Sequence, residues 1–247
     1  MEIGLSDGTQ LHVVTAGPPQ GSVVVLVHGL AGSIELSWRS TGVIDRMADA
    51  GLHVVAFDLR GHGSTTTSGA PEQFEQSRLV DDVRTVVERY PKRAVVLVGY
   101  SLGAALALLA MQEGLAVKAA VIAGAAPSVL RWTDEDERRR TQTAAALRGS
   151  TAVDDDLLGF MALFKAIGAD TDALAHLFDH HRPTVEAWDA IGDRVFVVAG
   201  SNDSVAAPVE ELVERLPNAT GHRVPGDHYT APASAEITDL VLGAARS

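Results

Sequence analysis

The sequence predicts an α/β fold in which helices cover both faces of a mostly parallel β-sheet. Short runs of β-branched apolar residues recur along the 247-residue chain, and the segments between most of them are long enough for a crossover helix. Continuous apolar runs are typical of strands that are buried on both faces, and parallel neighbours require such crossovers. Because 46% of the residues are apolar, the chain can bury a large core.

The strands can be placed in order along the chain. The amino-terminal segment predicts two short strands around the turn Ser6-Asp7-Gly8. Five further strands are predicted by the apolar runs Val23–Gly29, His53–Gly61, Ala94–Tyr100, Lys118–Ala126 and Arg194–Gly200.

One long segment, between Pro127 and Asp193, interrupts this alternation with helical patterning and many charges. It is longer than a simple crossover needs, so we interpret it as an inserted helical cap. Such a cap would cover the carboxyl ends of the strands, where open α/β sheets bind ligands. We therefore predict a core domain of residues 1–127 and 194–247 and a helical cap, or lid, of residues 128–193.

The composition excludes several classes of function. The formal net charge of -12 opposes binding to nucleic acid or to an anionic membrane surface. Cysteine is absent, which excludes disulfides, a thiolate nucleophile and cysteine-ligated metal, and a reducing compartment is the default. No signal-like segment or membrane-length apolar run is present, so we expect a cytoplasmic protein without a membrane partner. Nothing in the sequence calls for a cofactor or a metal, and a homo-oligomer is left open.

The most informative stretch is "VVLVGYSLGAALALLA", Val95 to Ala110. A predicted strand ends and a predicted helix begins at Ser101, which has a glycine two residues away on each side. In this setting the glycines permit a sharp turn that exposes the serine hydroxyl above the sheet. The alternative, a packing turn that happens to contain a serine, is less favoured because of this strand-to-helix context.

A serine nucleophile requires a base, and the base requires an acid that orients it. We predict His228 as the base, because it lies in a Gly/Asp/Pro loop between the last predicted strand and the carboxyl-terminal helix. Asp203 is the predicted acid, as the one carboxylate in the loop "SNDSVAAP". Asp227 is too close to His228 in sequence, and Asp193 precedes its strand at the wrong end.

An oxyanion formed at Ser101 would need fixed N–H donors. Leu102 supplies one such group at the start of the predicted helix. The N–H of Leu30, in the loop "HGLAGS" (residues 28–33), is the candidate for the second.

These motifs resemble the α/β-hydrolase fold superfamily, of the serine esterase and lipase type. The resemblance rests on "HGLAGS", "DLRGHG" (residues 58–63), "GYSLG", Asp203 and His228, in that order along the chain. It implies an eight-stranded, mostly parallel sheet and the roles of nucleophile, acid and base for Ser101, Asp203 and His228. The family often has serine where this chain has Thr65, in a loop that is mainly architectural.

The predicted cap carries apolar side chains at helical spacing, which are typical of a core but can also form the roof of a pocket. We predict Trp132, Phe160, Met161 and Phe164 as pocket residues. Trp38 is expected to pack against the core. His176 and His180, with His181 nearby, could share a helix face and bind a metal, but no third ligand is evident and a surface role is favoured.

The sequence therefore predicts a serine hydrolase that cleaves small apolar carboxylic esters through an acyl-enzyme. The same residues could act on a lactone, an amide or a C–C bond, or in perhydrolysis. A slow-turnover receptor for a small ligand is the alternative from another class. A serine at this position argues against the epoxide hydrolase and haloalkane dehalogenase relatives of the fold, which use an aspartate nucleophile.

Overall fold

The structure, a computed structural model, describes residues 1–150 and 155–246, with the side chains of residues 155, 156 and 158–160 outside the described part. Within it, eight strands form one sheet. They are β1 (Glu2–Gly4), β2 (Gln10–Ala16), β3 (Val23–Val27), β4 (His53–Phe57), β5 (Val95–Tyr100), β6 (Ala119–Ala123), β7 (Arg194–Gly200) and β8 (Ala219–Val224). The α-helices are α1 (Val43–Asp49), α2 (Gln76–Glu88), α3 (Leu102–Gln112), α4 (Asp134–Leu147), α5 (Asp155–Ala166), α6 (Thr171–His180), α7 (Val209–Arg215) and α8 (Ala235–Arg246).

The strands lie in the order β1-β2-β4-β3-β5-β6-β7-β8. Strands β1 and β2 are antiparallel to their neighbours, and all pairings from β4 to β8 are parallel. The predicted mostly parallel sheet is thus confirmed. Strands β3, β4 and β6 end two to four residues earlier than their apolar runs predict, at Val27, Phe57 and Ala123. The remaining residues of those runs form loops at the carboxyl edge of the sheet.

Alternate residues of the central strands enter two separate cores. Val25 and Leu97 pack with helices α2 and α3 on one face. Val24 and Val96 pack with α1 and α8 on the other. This division follows from the period of two along a strand. It explains why the central runs carry no polar residue, since neither face meets water.

Helices α4, α5 and α6 lie between β6 and β7, where the sequence predicts an inserted helical segment. Thr133 and Asp136 form a capping box at the start of α4. Arg140 on α4 donates to the carbonyl oxygen of Phe178 on α6 at 2.6 Å. The three helices are present as predicted, whereas the division into core and cap domains stays a prediction. Within the described ranges, every helix is too short or too polar to cross a bilayer.

A buried ion pair fixes the loop that follows β4. The Arg60 side chain is 2% exposed, and its Nε and Nη2 atoms donate to the two carboxylate oxygens of Asp82 on α2, at 2.6 and 2.7 Å. Arg60 also pairs with Asp7 in the turn between β1 and β2. The loop is therefore attached to both a helix and an amino-terminal turn.

We predict that Arg60→Ala lowers the free energy of unfolding by about 3–5 kcal/mol, because it leaves the buried Asp82 carboxylate without its partner. Urea denaturation measures this change. The double variant Arg60→Met/Asp82→Leu, which removes both charges, should lose less than the single variant. An equal or larger loss in the double variant would contradict this account of the pair.

Candidate active site

Ser101 lies at a sharp turn between β5 and α3. Its backbone has φ 53° and ψ -112°, a conformation that costs a non-glycine residue of the order of 1–3 kcal/mol. Gly99 and Gly103 make the turn possible by close packing. A Cβ atom at Gly99 would lie 2.4 Å from the carbonyl oxygen of Gly103, and one at Gly103 would lie 2.3 Å from that of Val27. The surrounding backbone thus holds the strained serine in place.

The structure brings Ser101, His228 and Asp203 together. The Nε2 atom of His228 lies 3.1 Å from the Ser101 hydroxyl oxygen. Its Nδ1 atom lies 2.9 and 3.1 Å from the two carboxylate oxygens of Asp203. Nδ1–H therefore donates to the carboxylate, and Nε2 is left free to accept the serine proton. The Asp203 side chain is fully buried, while that of His228 is 14% exposed.

Backbone hydrogen bonds join the loops that carry the acid and the base. Asn202 N–H donates to Gly226 O at 3.0 Å, which links the loop after β7 to the loop after β8. The Asp203 Oδ1 atom also accepts from Val205 N–H and Ala206 N–H, both at 2.9 Å. The carboxylate is therefore oriented before any substrate binds.

Asp227, the neighbour of His228, has a different partner set. Its carboxylate accepts from Tyr229 N–H, Thr230 N–H and the Thr230 hydroxyl. These bonds lower the pKa of Asp227, and the bond from the Thr230 hydroxyl has the largest effect. Asp227 closes its own turn and does not face the imidazole, which agrees with the choice of Asp203.

Tyr100, which the sequence analysis did not select, forms a hydrogen bond with the backbone of His228. Its hydroxyl donates to the carbonyl oxygen of His228 at 2.7 Å. Burial raises the pKa of the Tyr100 phenol, so the group stays protonated and remains a donor. The sequence signal that could have identified Tyr100 is its position directly before Ser101, at the carboxyl end of β5.

The two predicted oxyanion donors belong to residues that share a cavity with Ser101. Leu30 and Leu102 line one cavity together with Ser101. Neither N–H has a hydrogen-bond acceptor in residues 1–150 and 155–246. Both residues thus offer unpaired N–H groups, and the role of these groups as oxyanion donors stays a prediction.

Two buried histidines hold the loop that contains Leu30. His28 accepts from Leu59 N–H at Nε2 and donates from Nδ1 to Gly29 O, at 3.0 and 2.8 Å. His62 accepts from Ala31 N–H at Nε2 and donates from Nδ1 to Arg60 O, at 3.0 and 2.9 Å. Each ring needs one donor and one acceptor nitrogen, so each must be neutral.

Burial lowers the pKa of His28 to about 4. Burial and the neighbouring His28 lower the pKa of His62 to about 3. Both rings therefore stay neutral near pH 7, as their hydrogen bonds require. Their hydrogen bonds serve to hold the loops in place.

Asp58 and Thr65 complete the support of these loops. The Asp58 carboxylate accepts from Ile34 N–H at 2.7 Å and from Ser64 N–H at 2.8 Å. The Thr65 hydroxyl donates to Asp58 O at 2.6 Å and accepts from His12 N–H at 2.9 Å. Threonine at position 65 thus supplies its hydroxyl to the architecture, and this departure from the family pattern leaves the site unchanged.

Three neighbouring cavities, which share wall residues such as Leu30, lie at or beside Ser101. The front chamber, about 400 Å³, contains His228, Tyr229 and Thr41 on its walls. The inner chamber, about 150 Å³, lies between Leu102, Val129 and Phe178. Ser101 lines both. The outer chamber, about 310 Å³, continues from the inner one toward Trp132.

The predicted pocket residues have different positions. Phe164 lines the front and outer chambers, and Trp132 lines the outer chamber. Met161 packs against the main core and lies outside the walls of these three chambers, so its place in the pocket stays a prediction. Phe164 also belongs to the main core, so this side chain takes part in both the core and the chamber walls. The Phe160 side chain lies outside the described part.

Sequence reasoning missed several wall residues. They include Phe178, His181, Leu36, Val205 and Tyr229. Five of the six exposed large apolar side chains of the described residues line the front chamber, namely Leu36, Leu163, Ile167, Val205 and Tyr229. The mouth of the cavity is therefore apolar. Isolated residues from four separate segments give no pattern that a sequence search can detect.

The remaining aromatic and histidine residues have structural surroundings. Trp38 is 1% exposed and belongs to the second core, as predicted. His176 stacks on Phe74, with ring centroids 5.7 Å apart. Within the described ranges, no group of three or more His, Cys, Asp or Glu side chains could hold a metal ion.

Comparison with known proteins gives a match to the family model described as the alpha/beta hydrolase fold, over residues 22–156. Among curated proteins, epoxide hydrolase A of Mycobacterium tuberculosis is 37% identical over 99 residues. That stretch covers 40% of this chain and 30% of the relative. Epoxide hydrolase B of the same organism is 38% identical over 102 residues, which cover 40% of this chain and 28% of the relative. The matches thus span less than a third of these relatives.

Solved structures share the fold over the whole chain. A hydrolase from Pseudomonas aeruginosa has a TM-score of 0.81 at 17% identity, covering 100% of this chain and 98% of that one. An esterase from Exiguobacterium antarcticum has a TM-score of 0.77 at 18% identity, covering 100% and 99%. At these identities the likeness concerns the fold alone.

We predict that the free energy of unfolding falls as the pH is lowered from 6.5. Below this pH the unfolded chain binds protons at His28 and His62, whereas in the folded protein these rings have pKa values of about 4 and about 3 and stay neutral. Each histidine should contribute a loss of about 2 kcal/mol by pH 5. Urea denaturation at pH 7, 6 and 5 measures this, and His62→Gln should show a smaller decline than the wild type. A His180→Gln variant controls for the loss of an exposed histidine. Identical declines in the wild type and His62→Gln would contradict the assignment.

Proposed function

Because this chain belongs to the alpha/beta hydrolase fold family, as the resemblance of its motifs predicted, we propose that it is a serine hydrolase of small apolar carboxylic esters. The single observation that carries the proposal is the hydrogen-bonded series Asp203, His228, Ser101. This series opens onto a cavity with two unpaired N–H donors beside the serine.

The geometry supports acylation at Ser101. His228 Nε2, 3.1 Å from the hydroxyl, removes its proton as the oxygen attacks the ester carbonyl. The N–H groups of Leu30 and Leu102 stabilise the oxyanion of the tetrahedral intermediate. The imidazolium then protonates the leaving alcohol, and the Asp203 carboxylate stabilises that charge.

Deacylation uses the same groups with water as the nucleophile. His228 removes a proton from the water, which attacks the acyl-enzyme carbonyl, and then returns a proton to Ser101 as the acid leaves. The apolar mouth formed by Leu36, Ile167 and Tyr229 favours an uncharged, apolar substrate. In this proposal the inserted helices α4–α6 act as the cap. Phe164 on α5 lines two of the chambers, and Trp132, before α4, lines the outer chamber.

The curated relatives suggest epoxide hydrolysis as a second activity. The epoxide hydrolases of this fold use an aspartate as the nucleophile. Here position 101 carries a serine whose hydroxyl contacts the base, so an ester-like carbonyl is the better electrophile. Lactone, amide and C–C bond cleavage, and perhydrolysis, share the first step and are separated by a substrate panel.

We predict that Ser101→Ala reduces kcat for p-nitrophenyl butyrate about 10⁶-fold and abolishes labelling by a fluorophosphonate. Asp203→Asn should reduce kcat about 10⁴-fold, because it favours the wrong tautomer of His228. Steady-state kinetics and labelling of the intact protein measure both. Ser77→Ala, at an exposed serine on α2, is the matched control.

Full activity of Ser101→Ala would disprove the nucleophile assignment. Labelling of the wild type without turnover of any ester, lactone or amide would instead favour the slow receptor.

We also predict that Tyr100→Phe lowers kcat about tenfold with little change in KM. The variant loses the hydrogen bond to His228 O, so the imidazole is held less firmly. The free energy of unfolding should fall by about 1 kcal/mol. Tyr90→Phe, which changes a tyrosine far from the cavity walls, is the control. A Tyr100→Phe variant that loses stability but keeps kcat would assign Tyr100 a structural role alone.

A further inference from the structure

His181 is a polar residue in a mostly apolar part of the cavity. It follows α6 directly, where its N–H donates to Leu177 O at 2.8 Å. Its side chain lines the inner chamber together with Ser101 and the outer chamber together with Trp132. The ring therefore lies where the two chambers meet.

The two ring nitrogens of His181 differ in their surroundings. Nδ1 is fully buried and has no hydrogen-bond partner in the described part of the chain. Nε2 has no partner there either, but it is not fully buried, so it is the accessible nitrogen. A buried N–H without an acceptor is rarer than an unfilled acceptor, and we therefore place the proton on Nε2. Burial lowers the pKa of His181 to about 4, which keeps the ring neutral.

The position of His228 decides which part of an ester meets His181. The leaving alcohol receives its proton from His228 and must lie within reach of that ring. His228 lines the front chamber and not the inner chamber. The alcohol therefore occupies the front chamber, and the acyl part extends from Ser101 into the inner chamber toward His181.

We propose, resting on the function proposed above, that His181 is a specificity residue whose Nε2–H donates a hydrogen bond to an oxygen acceptor in the acyl part of the substrate. The inner chamber holds about 150 Å³, so only a short stem fits between the scissile carbonyl and that acceptor. Esters of short oxo acids fit this description. A plain alkyl chain would leave the donor unpaired, which is the basis of discrimination.

The test compares ethyl 3-oxopentanoate and ethyl 4-oxopentanoate with ethyl pentanoate, which has the same chain without the oxygen. Binding is measured by calorimetry on the Ser101→Ala protein, which does not consume the esters. We expect at least one oxo ester to bind about tenfold more tightly than ethyl pentanoate. His181→Phe should abolish this preference, and His181→Gln, which keeps an N–H donor, should retain part of it. His180→Phe, at the exposed neighbouring histidine, is the matched control.

Two results overturn the inference: no preference for either oxo ester, or a preference that His181→Phe leaves unchanged. Hydrolysis of the same esters by the protein with Ser101 intact tests the proposed function separately. If the esters are hydrolysed but the preference does not depend on His181, the inference is wrong and the hydrolase proposal stands. If no ester is hydrolysed but the binding preference depends on His181, the hydrogen bond stands and the hydrolase proposal fails.

Discussion

Close contact between backbone segments at the end of β5 is the constraint on which the site depends. Gly99 and Gly103 allow strand, turn and helix to approach at distances that a side chain would prevent. The turn forces Ser101 into a strained conformation, and the parallel sheet around it supplies the rigidity that maintains the strain. The position of the hydroxyl is thus a property of the core and not of a flexible loop.

Around this turn, the loops are fixed by buried polar groups that are neutral or paired. His28 and His62 each use one nitrogen as a donor and one as an acceptor, and Arg60 is paired with Asp82. Buried polar groups are stable only when their hydrogen bonds are satisfied. The loop that carries Leu30 is therefore held in its shape by the protein alone, as the proposed role of the Leu30 N–H requires.

The sequence predicted the parts of the protein that depend on local patterns. Apolar runs located the central strands, and the glycines around Ser101 indicated the turn, because both signals lie within a few residues of each other. Asp203 could be chosen because it is the one carboxylate in the loop that follows a predicted strand, and His228 because its loop lies between the last predicted strand and the carboxyl-terminal helix. The ends of β3, β4 and β6 were predicted too late, since buried residues such as His28, Asp58 and Ala125 continue into loops that are no longer paired.

The pocket was less predictable, for a physical reason. Whether an apolar side chain on α5 lines the cavity depends on the rotation of the helix against its neighbours. Met161 and Phe164 both pack in the main core, and Phe164 also lines two chambers. Phe178 and His181 lie far from Ser101 in the sequence, and only the folded chain brings them to the same cavity. Their place in the cavity wall cannot be read from their own segment.

The attachment of the helices α4–α6 has an evolutionary consequence. They leave the sheet after β6 and return at β7, and these two strands are adjacent and in parallel register, with Ala120 opposite Val195. A segment of any length can be accommodated between two such neighbouring points without altering the pairing of other strands. Exchange of this segment between homologues by recombination could therefore change the preferred ligand while the chemical machinery is inherited intact.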